Sequence, residues 1–148
     1  MGPETEVRLS DWLRAAIGAI AVLRPDQVFL PTDRGGPTEP VKKTVDPRQR
    51  HPSSLHSHTY PEVCVCVGGR ALMEMSDHAH GLRAPSVFLA LPQTPHCQAH
   101  TKDGSFHAFV WLTVSQGDML VVTSAYRAGK GWSDSARDSL RGEDVRRL

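Results

Sequence analysis

The chain has 148 residues, enough to enclose one hydrophobic core and too few for two independent ones. Its 17 lysines and arginines against 16 aspartates and glutamates leave a formal charge of +1, which excludes the broad field that draws nucleic acid or an anionic membrane. The longest apolar run, AAIGAIAVL, reaches about half of a membrane span and follows acidic residues, so neither a membrane helix nor a signal peptide is expected.

In chain order, Ser10 or Asp11 can cap a helix whose apolar residues Leu13, Ile17, Ile20 and Leu23 recur at helical spacing until Arg24-Pro25 stops it. With a lead-in strand this helix forms an N-terminal unit, 1–31. From Thr32 to Ser54 proline, glycine and charge predict loop, with Val41 to Val45 as a short edge strand.

Beyond Ser54 the texture changes to short apolar runs: Glu62 to Val67, Ala71 to Met75, Ser86 to Leu91, Phe106 to Val114 and Met119 to Thr123. Turn residues separate them. Gly68-Gly69 suits a two-residue hairpin, SDHAHG a longer one, and Lys102 to Gly104 another. The pattern predicts an all-β antiparallel sandwich or barrel over 32–124, a meander with Greek-key elements. The remainder, 125–148, is expected to be a tail, and its mixed acids and arginines from Ser133 onward predict a solvated helix or a frayed end.

One stretch concentrates the chemistry: HSHTYPEVCVCVGG, residues 56 to 69. Side chains two apart on a strand share a face, so His56 and His58 point the same way and Glu62 keeps their parity. Pro61 interrupts the strand ladder and predicts a bend that draws the three together. His96 follows the apolar strand SVFLAL and the turn PQTP and is the candidate fourth ligand. Three nitrogens and a carboxylate suit one divalent transition metal, whether Zn, Fe, Mn, Ni or Cu, with coordination positions open to a small molecule.

Other residues have quieter readings. Cys64 and Cys66 share the parity of Glu62 and face inward as small apolar groups, with Val63, Val65 and Val67 on the opposite, also covered, side. These two cysteines are too close along a strand to bridge, and three cysteines cannot all pair, which predicts a reducing, cytoplasmic setting. Cys97 has the opposite parity to His96 and points away from a metal. His78 and His80 are expected in an exposed hairpin tip. His107 groups with Phe109 and Trp111 on one face that lines a pocket or fills the core. Tyr60, His100 and His107 are the acid-base candidates near a metal, and with Cys64, Phe109 and Trp111 they make up the expected ligand pocket.

The order of parts, His-x-His-x-x-x-Glu at 56, 58 and 62, glycine at 69, then Pro92 and His96, resembles the two metal motifs of the cupin superfamily over roughly Leu55 to His100. The second motif departs from the family's Pro-x-Gly-x-x-His: PQTPH lacks the glycine and is one residue shorter, and His100 stands where an asparagine is common. The resemblance implies a cupin-type antiparallel β-barrel, a double-stranded β-helix or jelly roll, with His56, His58, Glu62 and His96 as ligands. Within the superfamily the chain looks most like the N-terminal effector-binding barrel of AraC-type transcription regulators. That implies a homodimer sensing a small-molecule effector, with no direct nucleic-acid binding because the helix-turn-helix units are not in this sequence. The alternatives are a metal-dependent dioxygenase, isomerase or decarboxylase acting on a small-molecule substrate, and a metal-free structural barrel.

Overall fold

The computed structural model describes residues 9–30, 45–115 and 118–141. Among the described residues one α-helix, α1 (Leu9–Ala21), precedes eight strands: β1 (Val28–Phe29), β2 (Glu62–Glu74), β3 (Ala79–Arg83), β4 (Ser86–Ala90), β5 (Cys97–Ala99), β6 (His107–Ser115), β7 (Asp118–Arg127) and β8 (Gly131–Arg141). The main sheet runs β1-β4-β2-β6-β7-β8, and β3 and β5 pair with the second half of β2. The fold is thus β-rich, but the sheet is mixed, because β1 runs parallel to β4, and among the described residues it does not close. All but the last residue of the strand expected at Val41 to Val45 lies outside the described residues. Among those described, no helix is long and apolar enough to cross a membrane.

The Gly68-Gly69 pair does not turn the chain back. β2 continues through it for 13 residues, with a bulge between Cys66 and Gly68 in its pairing to β6. An extra residue exchanges the faces of everything beyond it. Before the bulge Cys64 and Cys66 face the main core; after it the inward residues are Ala71, Met73 and Met75. Gly69 has φ +64°, and a Cβ there would lie 1.7 Å from the Phe106 carbonyl oxygen. Only glycine fits.

The outward residues of the first half of β2 lie under α1. Val65 is packed with Leu13, Ala16, Val87, Val110 and Val121, flanked by Val63 and Val67. The two-sided burial expected for VCVCV is therefore met by the helix. Its buried stripe differs from the expected one: Leu13 and Ala16 face the sheet, whereas Ile17 (56 % exposed) and Ile20 (45 %) face solvent. Small Ala16 lets the helix approach the valines closely, a fit that apolar spacing alone does not encode.

Three further expectations are corrected. His78 and His80 are buried, because the hairpin turn closes early, with the Met75 N–H donating to the His78 carbonyl (2.8 Å), and His80 already belongs to β3. The turn at Lys102 to Gly104 joins β5 to β6, yet the two do not pair with each other; each pairs with β2. The tail is neither helical nor frayed over the part described: β7 runs to Arg127, and β8 pairs with it along nearly its whole length. A turn held by the Lys130 N–H to the Arg127 carbonyl, with Gly129 at φ +79° inside it and Gly131 at φ +78° just after it, sends the chain back.

The lead-in to the site is pinned by polar contacts. Arg50 pairs with β5 at Ala99 and forms two bonds to the buried Glu74 carboxylate, 2.7 and 2.8 Å. His51 N–H then donates to the Gln98 carbonyl (2.9 Å).

Gly69→Ala is expected to lower stability by about 3 kcal/mol or more, since it meets both a positive φ and a backbone clash. Gly18→Ala, within α1 with open space around its Cβ position, is expected to raise stability by about 0.5–1 kcal/mol. Urea denaturation of both variants checks the pair; a mild Gly69→Ala would contradict the bulge.

Candidate metal centre

The segment before β2 returns alongside the β4–β5 connection. His56 and His96 form an antiparallel bridge, each N–H donating to the other's carbonyl at 3.1 and 2.8 Å. The Gln93 N–H donates to the His58 carbonyl at 2.7 Å, with Gln93 at φ +62° in the PQTP turn. These backbone bonds bring both histidine motifs to the start of β2, where Glu62 projects inward.

Ring orientation follows from the second nitrogen of each imidazole. His56 Nδ1 lies 2.8 Å from the Ser54 carbonyl and His96 Nδ1 2.9 Å from the Thr94 carbonyl, so each Nδ1 donates and each Nε2 is left as the ligand atom. His96 Nε2 lies 3.1 Å and His58 Nε2 3.3 Å from Glu62 Oε2. The Thr113 hydroxyl donates to Glu62 Oε1 at 3.1 Å. One ligand atom from each of His56, His58, Glu62 and His96 falls within 4.8 Å of the others. Ligands at about 2.1 Å from a tetrahedral ion stand about 3.4 Å apart, so the two distances to Glu62 already suit a shared ion.

The electrostatics favour the forms that bind metal. Burial alone would push the Glu62 carboxyl up, but the His96 hydrogen bond, the His58 and His96 charges and the Thr113 hydroxyl together bring it below its usual range. Burial pushes His58 down, and neighbouring His56 and His96 add to this against the opposing pull of Glu62. Glu62 is thereby held as a carboxylate, and His58 is biased towards its neutral form. Tyr60 stacks on His58 (centroids 4.9 Å, 10°) and Trp111 on His96 (5.7 Å, 24°), fixing both rings.

The group opens onto a cavity of about 480 Å³. Of the expected pocket residues, Tyr60 and Trp111 line it; Cys64 and Phe109 are buried in the core behind it. His100 and His107 are not among the lining residues. His107 is opposite Gly69, whereas Glu62 is opposite Thr113, six residues along β6 and so roughly 20 Å away. His107 is instead packed among Phe109, Tyr126 and Trp132, and His100 stacks on Tyr126 at 4.1 Å with its Nδ1 donating to the Thr101 carbonyl. Cys97 is buried and outside the ligand group, as its parity predicts.

Sequence reasoning passed over the other end of the cavity. His51 Nε2 lies 2.9 and 3.1 Å from the Asp134 carboxylate oxygens, and Gln98 accepts a 2.7 Å bond from the Ser124 hydroxyl. All four residues line the cavity. His51 and Asp134 are 83 positions apart, and the one local signal was the Ala128-Gly129-Lys130-Gly131 turn, which marks a hairpin and hence a strand through Asp134.

Chelator-stripped protein is expected to take up one equivalent of Zn(II) or Co(II), measured by elemental analysis. His58→Ala should weaken binding more than about a hundredfold and Thr113→Val by roughly ten- to a hundredfold, the range for partners that orient a ligand. Wild-type affinity in His58→Ala would remove His58 from the site.

His107 gives a separate pH dependence. Burial, aided by nearby His100, pushes its pKa from 6.5 down to about 4. Between those values the unfolded chain holds a proton that the folded chain refuses, so stability is full above pH 6.5 and is lost as pH falls towards 4, by about 3 kcal/mol. In the metal-free protein, His107→Phe should keep what the wild type loses across this window. Parallel urea-unfolding curves for the two proteins from pH 7 to 4 would refute it.

Compared with known proteins, the chain matches no family model, no curated protein and no solved structure, so what it does has to be argued from the geometry of this site.

Proposed function

We propose that this chain is a metal-binding domain of the cupin type that holds a small molecule against the ion, in the manner of the effector-sensing barrels of AraC-type regulators. The observation that carries the reading is the convergence of His56, His58, Glu62 and His96, with the first three lining a cavity large enough for a small molecule and His96 buried behind them. Four protein ligands leave one or more positions open on an ion that accepts five or six. An oxygen donor entering the cavity would complete them. The β2 strand, its neighbours and the order of the two histidine motifs support the cupin assignment. Homodimerisation and a cytoplasmic setting belong to the same proposal.

A second reading, a metal-dependent enzyme, draws on the His51–Asp134 pair. The Asp134 carboxylate, held by His51 and lining the same cavity as the candidate ligands, would supply the acid-base partner that Tyr60, His100 and His107 had been expected to offer.

The Co(II)-loaded protein provides the test. Azide or oxalate is expected to change its visible d–d spectrum by entering an open position, and His58→Ala should lose the response along with the metal. A Co(II) protein whose spectrum ignores both anions would have a closed, structural site, and the proposal would fail. Metal-dependent turnover of a carboxylate or phenol that is lost in His51→Phe at unchanged metal content would favour the enzyme.

A further inference from the structure

The cavity has two polar ends of unlike character. At one, three neutral imidazoles and one carboxylate around a divalent ion carry a net charge of +1, which calls for an anionic oxygen. At the other, the Ser53 backbone N–H donates to His51 Nδ1 (3.0 Å), so that nitrogen carries no proton, and the Nε2 proton goes to Asp134. Both imidazole nitrogens are thereby engaged. Gln98 and Ser124 are bonded to each other. The Asp134 carboxylate is different: its side chain is 55 % exposed, and His51 leaves it acceptor sites to spare.

The register fixes how far apart the two ends lie along the strand direction. Thr113, which bonds Glu62, is opposite Leu120 on β7, and Asp134 is opposite Ser124, four residues further along the same strand. That is roughly 13 Å of strand. Between the two ends the wall is apolar, formed by Leu120, Val122 and Trp111.

Building on the proposed metal site, we infer that the cavity selects molecules with an anionic oxygen at one end, an apolar middle, and a hydrogen-bond donor, ammonium or hydroxyl, at the other end for Asp134. Asp134 is then a specificity-determining residue. The ion binds the acid end of any carboxylate that fits, and Asp134 separates those with a distal donor from those without. A charge-assisted hydrogen bond of this kind corresponds to about a tenfold or greater preference.

The test uses the Zn(II)-loaded 148-residue chain, its metal content verified by elemental analysis, with isothermal titration of two matched pairs: 4-(aminomethyl)benzoate against 4-ethylbenzoate, and 6-aminohexanoate against heptanoate. Within each pair the amine is expected to bind at least about tenfold tighter. Asp134→Asn should bring the ratio to near one while leaving Zn content and the methyl-terminated affinity unchanged. Should Asp134→Asn melt below wild type, Asp134→Glu must restore the ratio. A ratio near one in the wild type, a ratio that survives Asp134→Asn, or no binding of any probe to Zn-loaded protein overturns the inference while the metal centre stands. Failure of the wild type to hold Zn overturns both.

Discussion

The change of face in β2 is the constraint on which the rest depends. A single strand pairs with β4 and β6 in its first half and with β3 and β5 in its second, and both halves must offer apolar side chains to one core. Alternation at period two forbids that in a straight run of this sequence, since Cys64 and Cys66 would put Ala71, Met73 and Met75 on the wrong side. The bulge at Cys66–Gly68, followed by Gly69 pressed against the Phe106 carbonyl, resolves the conflict. Once the first half is fixed with even residues inward, Glu62 at its start must also point inward, next to Thr113 and one register step from Trp111.

The candidate metal centre inherits this orientation and adds its own. Backbone hydrogen bonds between His56 and His96 order the two motifs before any ion arrives, so little conformational entropy remains to be lost on binding. The imidazoles are aimed by carbonyls on one side and by Glu62 on the other, and Tyr60 and Trp111 limit their rotation. Without an ion, the Thr113 hydroxyl donates to Glu62 Oε1, and the Nε2 atoms of His96 and His58, 3.1 and 3.3 Å from Oε2, donate to it when their rings are protonated. The donors that would coordinate a metal thus also keep the buried carboxylate satisfied, which explains how such a group can persist in an otherwise apolar wall.

The cavity's far end depends on β8. By pairing with β7, that strand carries Trp132 and Asp134 across to His51, whose ring meets Trp132 edge-on at 4.8 Å. The loop bearing His51 is held in turn by Arg50 on Glu74 and by the bond to Gln98. Two segments 83 positions apart therefore complete one wall, and Tyr126, His100 and His107 pack behind it.

The sequence alone determined the β-rich texture, most strand positions, the α1 segment, the inward parity of Glu62, Cys64 and Cys66, and the four residues His56, His58, Glu62 and His96. Each is local: alternation, a proline bend and a histidine spacing act within a few residues or along one strand. Tertiary structure decided what required a partner. Gly68-Gly69 is a turn by composition and a bulge only because β6 approaches there. His78 and His80 look exposed until β2 and β3 enclose them. Asp134 sits in a polar, charged tail that has no apolar pattern of its own and becomes a strand by pairing with β7, and only that pairing sets it beside His51. Long-range backbone pairing carries no mark in the spacing of the residues it joins, so the group that could hold a metal was legible in the sequence and the opposite end of its cavity was not.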